Sequence, residues 1–231
     1  IGTEVPPPGG ARTDDHGDIP PTTPESAKAT LAAHREAFTA LNLPLDQIGG
    51  LVVQPGVEFS PMEVHHLPLT RDPGLLAALS DWPDLCLEAH STDYQHPEAY
   101  PRLAELGFAF QKVGPALTFA WREALYALDT LRAQNGWASG PSLADTMEQV
   151  MLAQPGYWQG HYHGTSADLR TERHFGLADR IRYSWPDPQA QAAVARLLAD
   201  LDGKLLPDPA LLAHFAASEI ASARASHCPL P

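Results

Sequence analysis

Residues 84–95 read DLCLEAHSTDYQ. Leu85, Cys86 and Leu87 form a short apolar run, and Glu88, His90, Ser91, Thr92, Asp93 and Tyr94 crowd the positions directly after it. A buried strand that ends abruptly in ionisable and hydroxyl side chains points to a parallel α/β sheet, where strand bodies fill the core and chemistry collects at their carboxyl ends.

The pattern recurs on both sides. Upstream, GGLVVQPG (residues 49–56) is a continuous apolar run closed by Pro and Gly, as expected of a strand buried on both faces. Downstream, FAFQKVG (residues 108–114) repeats it, and IGTEV opens the chain as a further strand. Helical signals lie between these runs. Thr23-Pro24-Glu25 supplies an N-cap with proline at the first helical position, and Ala27, Leu31, Phe38 and Leu41 follow at helical spacing, which predicts a helix over 24–42. Shorter helices are expected at 75–79 and 98–106. Leu117, Ala120, Trp121, Ala124, Leu125, Leu128 and Leu131 then make one apolar stripe.

Four strands alternating with helices predict the α/β class, specifically half of a TIM-type (β/α)8 barrel over residues 1–136. Residues 137–231 show no strand pattern and predict an all-helical extension, with helices near 143–152, 169–183 and 190–201. The segment PPPGGARTDDHGDIPPTTP (residues 6–24) is too rich in Pro, Gly and Asp for a regular element and reads as a long loop.

Composition narrows the function. The 231 residues carry a formal charge of -13, which repels nucleic acid and anionic lipid. No apolar run reaches the roughly 20 residues of a membrane helix and no leader pattern opens the chain, so a cytoplasmic protein is expected. The two cysteines, Cys86 and Cys228, make no disulfide framework and no thiolate metal site.

Candidate site residues are those at the strand ends. Glu4 ends the first strand, Gln54 and Glu58 flank the second, Glu88 and His90 end the third, and Lys112 ends the fourth. Period-two alternation puts Glu88 and His90 on one face of their strand. Carboxylate and imidazole converging from different strands suit a divalent metal; a hydrogen-bonded polar plug of the barrel mouth is the alternative. Lys112 with Gly114 precedes a helix start whose backbone N–H groups could cradle a phosphate. Asp93 and Tyr94 are candidate acid and base groups, or a turn former and a packing aromatic. His161 and His163, two apart, point to opposite sides of a helix and suit no shared metal. The aromatics around them suit packing between helices.

The motifs GTEVPPPGG (residues 2–10), VVQPGVEF (52–59), EAHSTDYQ (88–95), KVGPALTFAWREAL (112–125), EQVML (148–152) and RHFGLADRIRYSWP (173–186) together resemble the GatZ/KbaZ family. Its members are known as the non-catalytic subunit of class II D-tagatose-1,6-bisphosphate aldolase, and formerly as tagatose 6-phosphate kinase. The resemblance implies an eight-stranded barrel of which these strands are five to eight. It implies an accessory role to an aldolase catalytic subunit of the GatY/KbaY type, in an oligomer that handles a sugar phosphate. Its alternative implication is an epimerase acting at carbon 4 of fructose 6-phosphate and tagatose 6-phosphate. In that case Glu4 and His90 bind a divalent metal, zinc or magnesium, and Glu4, Glu88 and Asp93 serve catalysis. Gln54, Ser91, Lys112 and Gly114 hold substrate. No phosphate-loop lysine motif occurs, so nothing in the residues supports a kinase.

Overall fold

The computed structural model describes residues 1–2 and 19–226. Contacts divide the chain into two compact units, Ile1–Ala116 and Leu117–Pro231.

The first unit is a parallel sheet with helices. β1 (Gly50–Val53), β4 (Cys86–Ala89) and β5 (Phe108–Gln111) pair in parallel in the order β1-β4-β5. Each successive pair is joined through helical segments, as parallel pairing demands. Leu51 lies beside Leu87 and Val52 beside Glu88. Ile1 continues the ladder on the free side of β1: its amino group donates to the Gly50 carbonyl, and its own carbonyl accepts from Val52. The rest of the expected first strand, Glu4 included, lies outside the described residues.

One face of this sheet is covered. Leu51, Val53, Leu87, Ala89 and Phe108 pack against Ala27 and Leu31 of α1 (Pro24–Ala40), a 3-10 turn at Leu75–Leu79, and Ala99 and Leu103 of α2 (Ala99–Glu105). Burying each leucine contributes roughly 2 kcal/mol. α1 starts where expected, with the Thr23 hydroxyl accepting the Ser26 N–H at 3.2 Å and Pro24 opening the helix. The other face carries Val52, Cys86 and Glu88, all half-buried, and Phe110, which is 56% exposed. The apolar run of β1 suggests burial on both faces; among the described residues only one face is covered. A register shift after Leu87 sets Phe110 opposite Glu88, which bulges β5 at Ala109.

One element escapes the sequence reading. β2 (Glu58–Phe59) and β3 (Val64–His65) form a small antiparallel hairpin directly after β1.

The second unit is helical among its described residues: most of α3 (Pro115–Gln134), then α4 (Leu143–Ala153), α5 (Ser166–Phe175), α6 (Pro188–Leu201), α7 (Asp208–Leu212) and α8 (Ala217–Ala225). Leu125, Met147, Met151, Ile181 and Leu197 form its core. The compact division falls after Ala116 instead of at the expected residue 136, because the buried stripe of α3 packs with the helices that follow it. Arg132 of α3, for instance, is tied to Asp200 of α6 at 2.8 Å. The single helix expected over 169–183 is two pieces. α5 ends at Phe175, and Asp179, in the left-handed region at φ 45°, starts a separate 3-10 turn at Arg180–Ser184.

Candidate functional site

The carboxyl ends of β1, β4 and β5 gather the first unit's polar side chains. Glu88 stands on the open face of β4, and the next residue on that face, His90, is buried with its Nε2 3.2 Å from the Glu88 carboxylate. Burial and the nearby Lys112 charge lower the His90 pKa, and Glu88 only partly offsets them. His90 is therefore a neutral imidazole at neutral pH, the form able to accept a proton or ligate a metal.

Lys112 is fixed by its backbone. Its N–H donates to the Ala89 carbonyl at 2.9 Å, and its carbonyl accepts from both the N–H and the hydroxyl of Thr92, at 3.3 and 2.9 Å. Its ammonium has no ion-pair partner among the described residues.

The loop after β4 is tightly wound. Ser91 and Tyr94 both adopt left-handed backbone, at φ 57° and 61°, a conformation that costs L-residues of order 1 kcal/mol each and that collects at functional sites. Between them, buried Asp93 turns its Oδ1 onto the backbone N–H groups of Gly114 and Ala116, both at 2.8 Å. The phosphate cradle expected at this helix start is thus filled by the protein's own carboxylate. The Gly114 N–H is engaged by Asp93, and Lys112 remains as the cation.

The β2–β3 hairpin walls the same region. Glu58 is 4% exposed, and its carboxylate accepts the Phe59 N–H at 3.0 Å. Burial pushes its pKa up despite this bond, the nearby Ser91 and the neighbouring His65, while Asp93 adds to the rise. His65 faces Glu58 across the ladder, and its Nε2 is buried without a partner among the described residues. Gln95 fastens the hairpin to the β4 loop, accepting from the Leu67 N–H at 2.9 Å and donating to the His65 carbonyl at 3.2 Å. Phe59 and Tyr94 meet edge to face. Gln54, expected to hold substrate, spends its side-chain oxygen on the turn after β1, accepting from Gly56 and Val57 at 2.9 and 3.0 Å.

The sequence reading thus brought Glu88, His90, Ser91, Asp93 and Lys112 to one place, gave Glu58 no role and missed His65. The signal for Glu58 was present: a carboxylate between apolar Val57 and Phe59, shortly after a strand.

As a metal centre the described residues are incomplete. No group of three or more His, Cys, Asp or Glu among them is placed to hold an ion. The neutral imidazole of His90 and the carboxylate of Glu88 are a chemically suitable pair, but a pair falls short of the three protein ligands of a typical catalytic zinc site. Glu4, the other expected ligand, lies outside the described residues.

A second polar assembly occupies the helical unit, where three of the recognised motifs meet. Glu148 accepts from the Nε of Arg173 at 2.9 Å and lies 3.1 Å from His174 Nε2; the Tyr126 hydroxyl is 2.7 Å from His174 Nδ1. Thr118 donates to Asp179, which also lies 3.6 Å from the buried Arg122. Glu148, Arg173, His174 and Tyr126 satisfy one another and tie α3, α4 and α5 together as a structural network, whereas Nε and Nη2 of Arg122 and Oδ1 of Asp179 are buried without a hydrogen-bond partner among the described residues.

Two known proteins resemble the chain over more than nine-tenths of its length. A D-tagatose 6-phosphate 4-epimerase from Agrobacterium fabrum (strain C58 / ATCC 33970) is 47% identical over 216 residues, which cover 91% of this chain and 50% of that protein. The crystal structure of a probable tagatose 6 phosphate kinase from Sinorhizobium meliloti 1021 matches with a TM-score of 0.84 at 41% identity, covering 92% of this chain and 56% of that one. The chain therefore spans about half the length of these relatives. With the family's model matched across residues 1–229, the chain belongs to the D-tagatose-1,6-bisphosphate aldolase subunit GatZ/KbaZ-like family.

Proposed function

We propose that the protein acts in tagatose metabolism as a sugar-phosphate epimerase that inverts carbon 4 of a ketohexose 6-phosphate, interconverting tagatose 6-phosphate and fructose 6-phosphate. We take its parallel sheet as part of a TIM-type barrel half. The observation that carries the reading is the Glu88–His90 pair on the open face of β4, with a neutral imidazole beside Lys112, whose ammonium has no ion-pair partner among the described residues. The 47% identity to a protein named for this reaction supports it.

The chemistry sets what the site must do. Carbon 4 is not adjacent to the carbon 2 ketone, so its C–H bond is not acidified. Inversion goes through the C3–C4 bond instead: the O4 proton leaves, C4 becomes an aldehyde, and C3 keeps the bonding electrons in conjugation with the carbonyl. Re-addition to the opposite aldehyde face then restores the bond. Lys112 supplies charge for the phosphate, and Glu88 with His90 orients the sugar oxygens. A divalent cation, zinc or magnesium, held by Glu4 and His90 would add electrophilic polarisation of those oxygens.

The family's description favours a second reading, an accessory subunit that supports an aldolase catalytic subunit of the GatY/KbaY type in a cytoplasmic oligomer. Purified protein incubated with fructose 6-phosphate alone separates the two. Formation of tagatose 6-phosphate supports the epimerase. No turnover, together with increased activity of an added aldolase subunit, supports the accessory role.

A further inference from the structure

We propose that the 3-10 turn Arg180–Ser184 carries an anion site in the helical unit, where the guanidinium groups of Arg180 and Arg182 take a phosphoryl group, either of a phosphate monoester or of free phosphate. The assignment stands independently of the epimerase reading.

Arg180 differs from the other buried arginines of this unit. Arg122 pairs with Glu123 at 2.6 Å, Arg132 with Asp129 and Asp200 at 2.5 and 2.8 Å, and Arg173 with Glu148 at 2.5 Å. Arg180 is 8% exposed and pairs with no carboxylate among the described residues. A buried cation without a counter-ion is costly, and an anion taken from solution removes that cost.

The side chain is held so that one edge stays free. The Arg180 backbone N–H donates to the Tyr162 hydroxyl at 3.1 Å, and its Nε donates to the Tyr157 carbonyl. Nη1 and Nη2 make no hydrogen bond among the described residues and are not sealed from solvent. Together they form the end-on fork that grips two oxygens of a phosphoryl group.

Arg182 doubles the charge. The guanidinium carbons of Arg182 and Arg180 lie 4.5 and 5.3 Å from the centre of the Tyr183 ring, so both cations meet one aromatic side chain. Arg182 is held by the carbonyls of Ala178 and Asp179 and donates to the Tyr183 hydroxyl at 2.9 Å, and it too has no ion-pair partner among the described residues. Burial lowers the Arg180 pKa, Tyr183 and Tyr162 oppose the change only in part, and Arg182 adds to it. In a chain of formal charge -13, two arginines left without carboxylates are set apart for an anion from outside. Two positive charges suit a phosphoryl dianion, whereas a single carboxylate would neutralise only one.

Calorimetric titration of inorganic phosphate, and separately of fructose 6-phosphate, into the full-length protein carrying K112A tests the site, the substitution removing any phosphate held by Lys112. The K112A protein should bind one phosphoryl ligand per chain, and adding R180Q or R182Q should weaken that binding by about tenfold or more. Tighter binding of fructose 6-phosphate than of phosphate makes the occupant a hexose phosphate, and the reverse makes it free phosphate; either carries the proposal. Far-ultraviolet circular dichroism checks that each variant folds. Should R180Q fail to fold, R182Q decides, because Arg182 is only half-buried. Arginines that serve only packing would leave phosphate affinity alone, so unchanged affinity in either folded variant overturns the site. A K112A protein that binds neither ligand at millimolar concentration overturns it as well.

Discussion

The Asp93 carboxylate accepts the backbone N–H of Gly114 at 2.8 Å, and so binds the loop after β4 to the start of α3. The same oxygen takes the N–H of Ala116, which makes Asp93 a charged N-cap supplied from 23 positions away. A carboxylate is the best partner for the positive end of a helix, and it has displaced the phosphate that the sequence pattern invites. Asp93→Ala should cost about 1–2 kcal/mol in urea unfolding, with Asp93→Asn losing less because one oxygen remains. An alanine variant as stable as wild type would remove the capping role.

His90 carries the second expectation. On the proposed epimerase reading, His90→Ala should lower turnover of tagatose 6-phosphate by about 100-fold or more while far-ultraviolet circular dichroism stays at its wild-type shape. Zinc titrated calorimetrically into wild type and variant tests the ligand role separately. Equal affinities would take His90 out of the donor set.

Much of this was legible because it is local. The strand GLVV and the strand around Cys86 and Leu87 announce themselves as apolar runs, and the period-two rule alone places Glu88 and His90 on one face, where they meet at 3.2 Å. The hairpin was not legible. Two-residue strands are too short to alternate, and this one is held by Gln95 reaching Leu67 and His65, contacts that span 28 and 30 residues. Asp93 presented itself as a turn former or an acid, and only the tertiary arrangement makes it a cap. The break of the expected 169–183 helix at Gly176 was readable in principle, since Gly at a helix end is a common stop signal.

Glu148 anchors the helical unit. Burial alone would raise its pKa, but Arg173, His174 and Arg170 outweigh burial and hold it low. Glu148→Ala leaves Arg173 buried without its anion and should cost about 3–5 kcal/mol in chemical denaturation. A loss below about 1 kcal/mol would mean that water or a rearranged acid replaces it.

Burial lowers the pKa of His174 even though Glu148 lies beside it. The unfolded chain therefore binds a proton at this histidine that the folded chain resists, and stability must fall as pH drops below about 6.5. The difference between wild type and His174→Gln isolates this contribution from other titrating groups. Thermal midpoints measured from about pH 7.5 to about pH 5 should fall more steeply for wild type than for the variant. Parallel curves would mean that His174 titrates alike in both states.

The open face of the sheet yields the last expectation. Phe110 is 56% exposed directly beside Glu88, and Val52 on the same face is only half-buried. An aromatic ring left in water on a sheet face is a strong driver of association, since burying a phenylalanine contributes about 2–3 kcal/mol. Isolated, the 231-residue chain should show a mass that rises with concentration in sedimentation equilibrium. Phe110→Lys should shift that equilibrium toward monomer, because a lysine ammonium resists the transfer out of water that association demands. The substitution leaves the covered face, with Leu51, Leu87 and Phe108, untouched, so the variant should keep its cooperative thermal transition. A wild-type chain that stays monomeric at every concentration would show that this face needs no partner, and that Phe110 is tolerated in solvent as isolated surface aromatics often are.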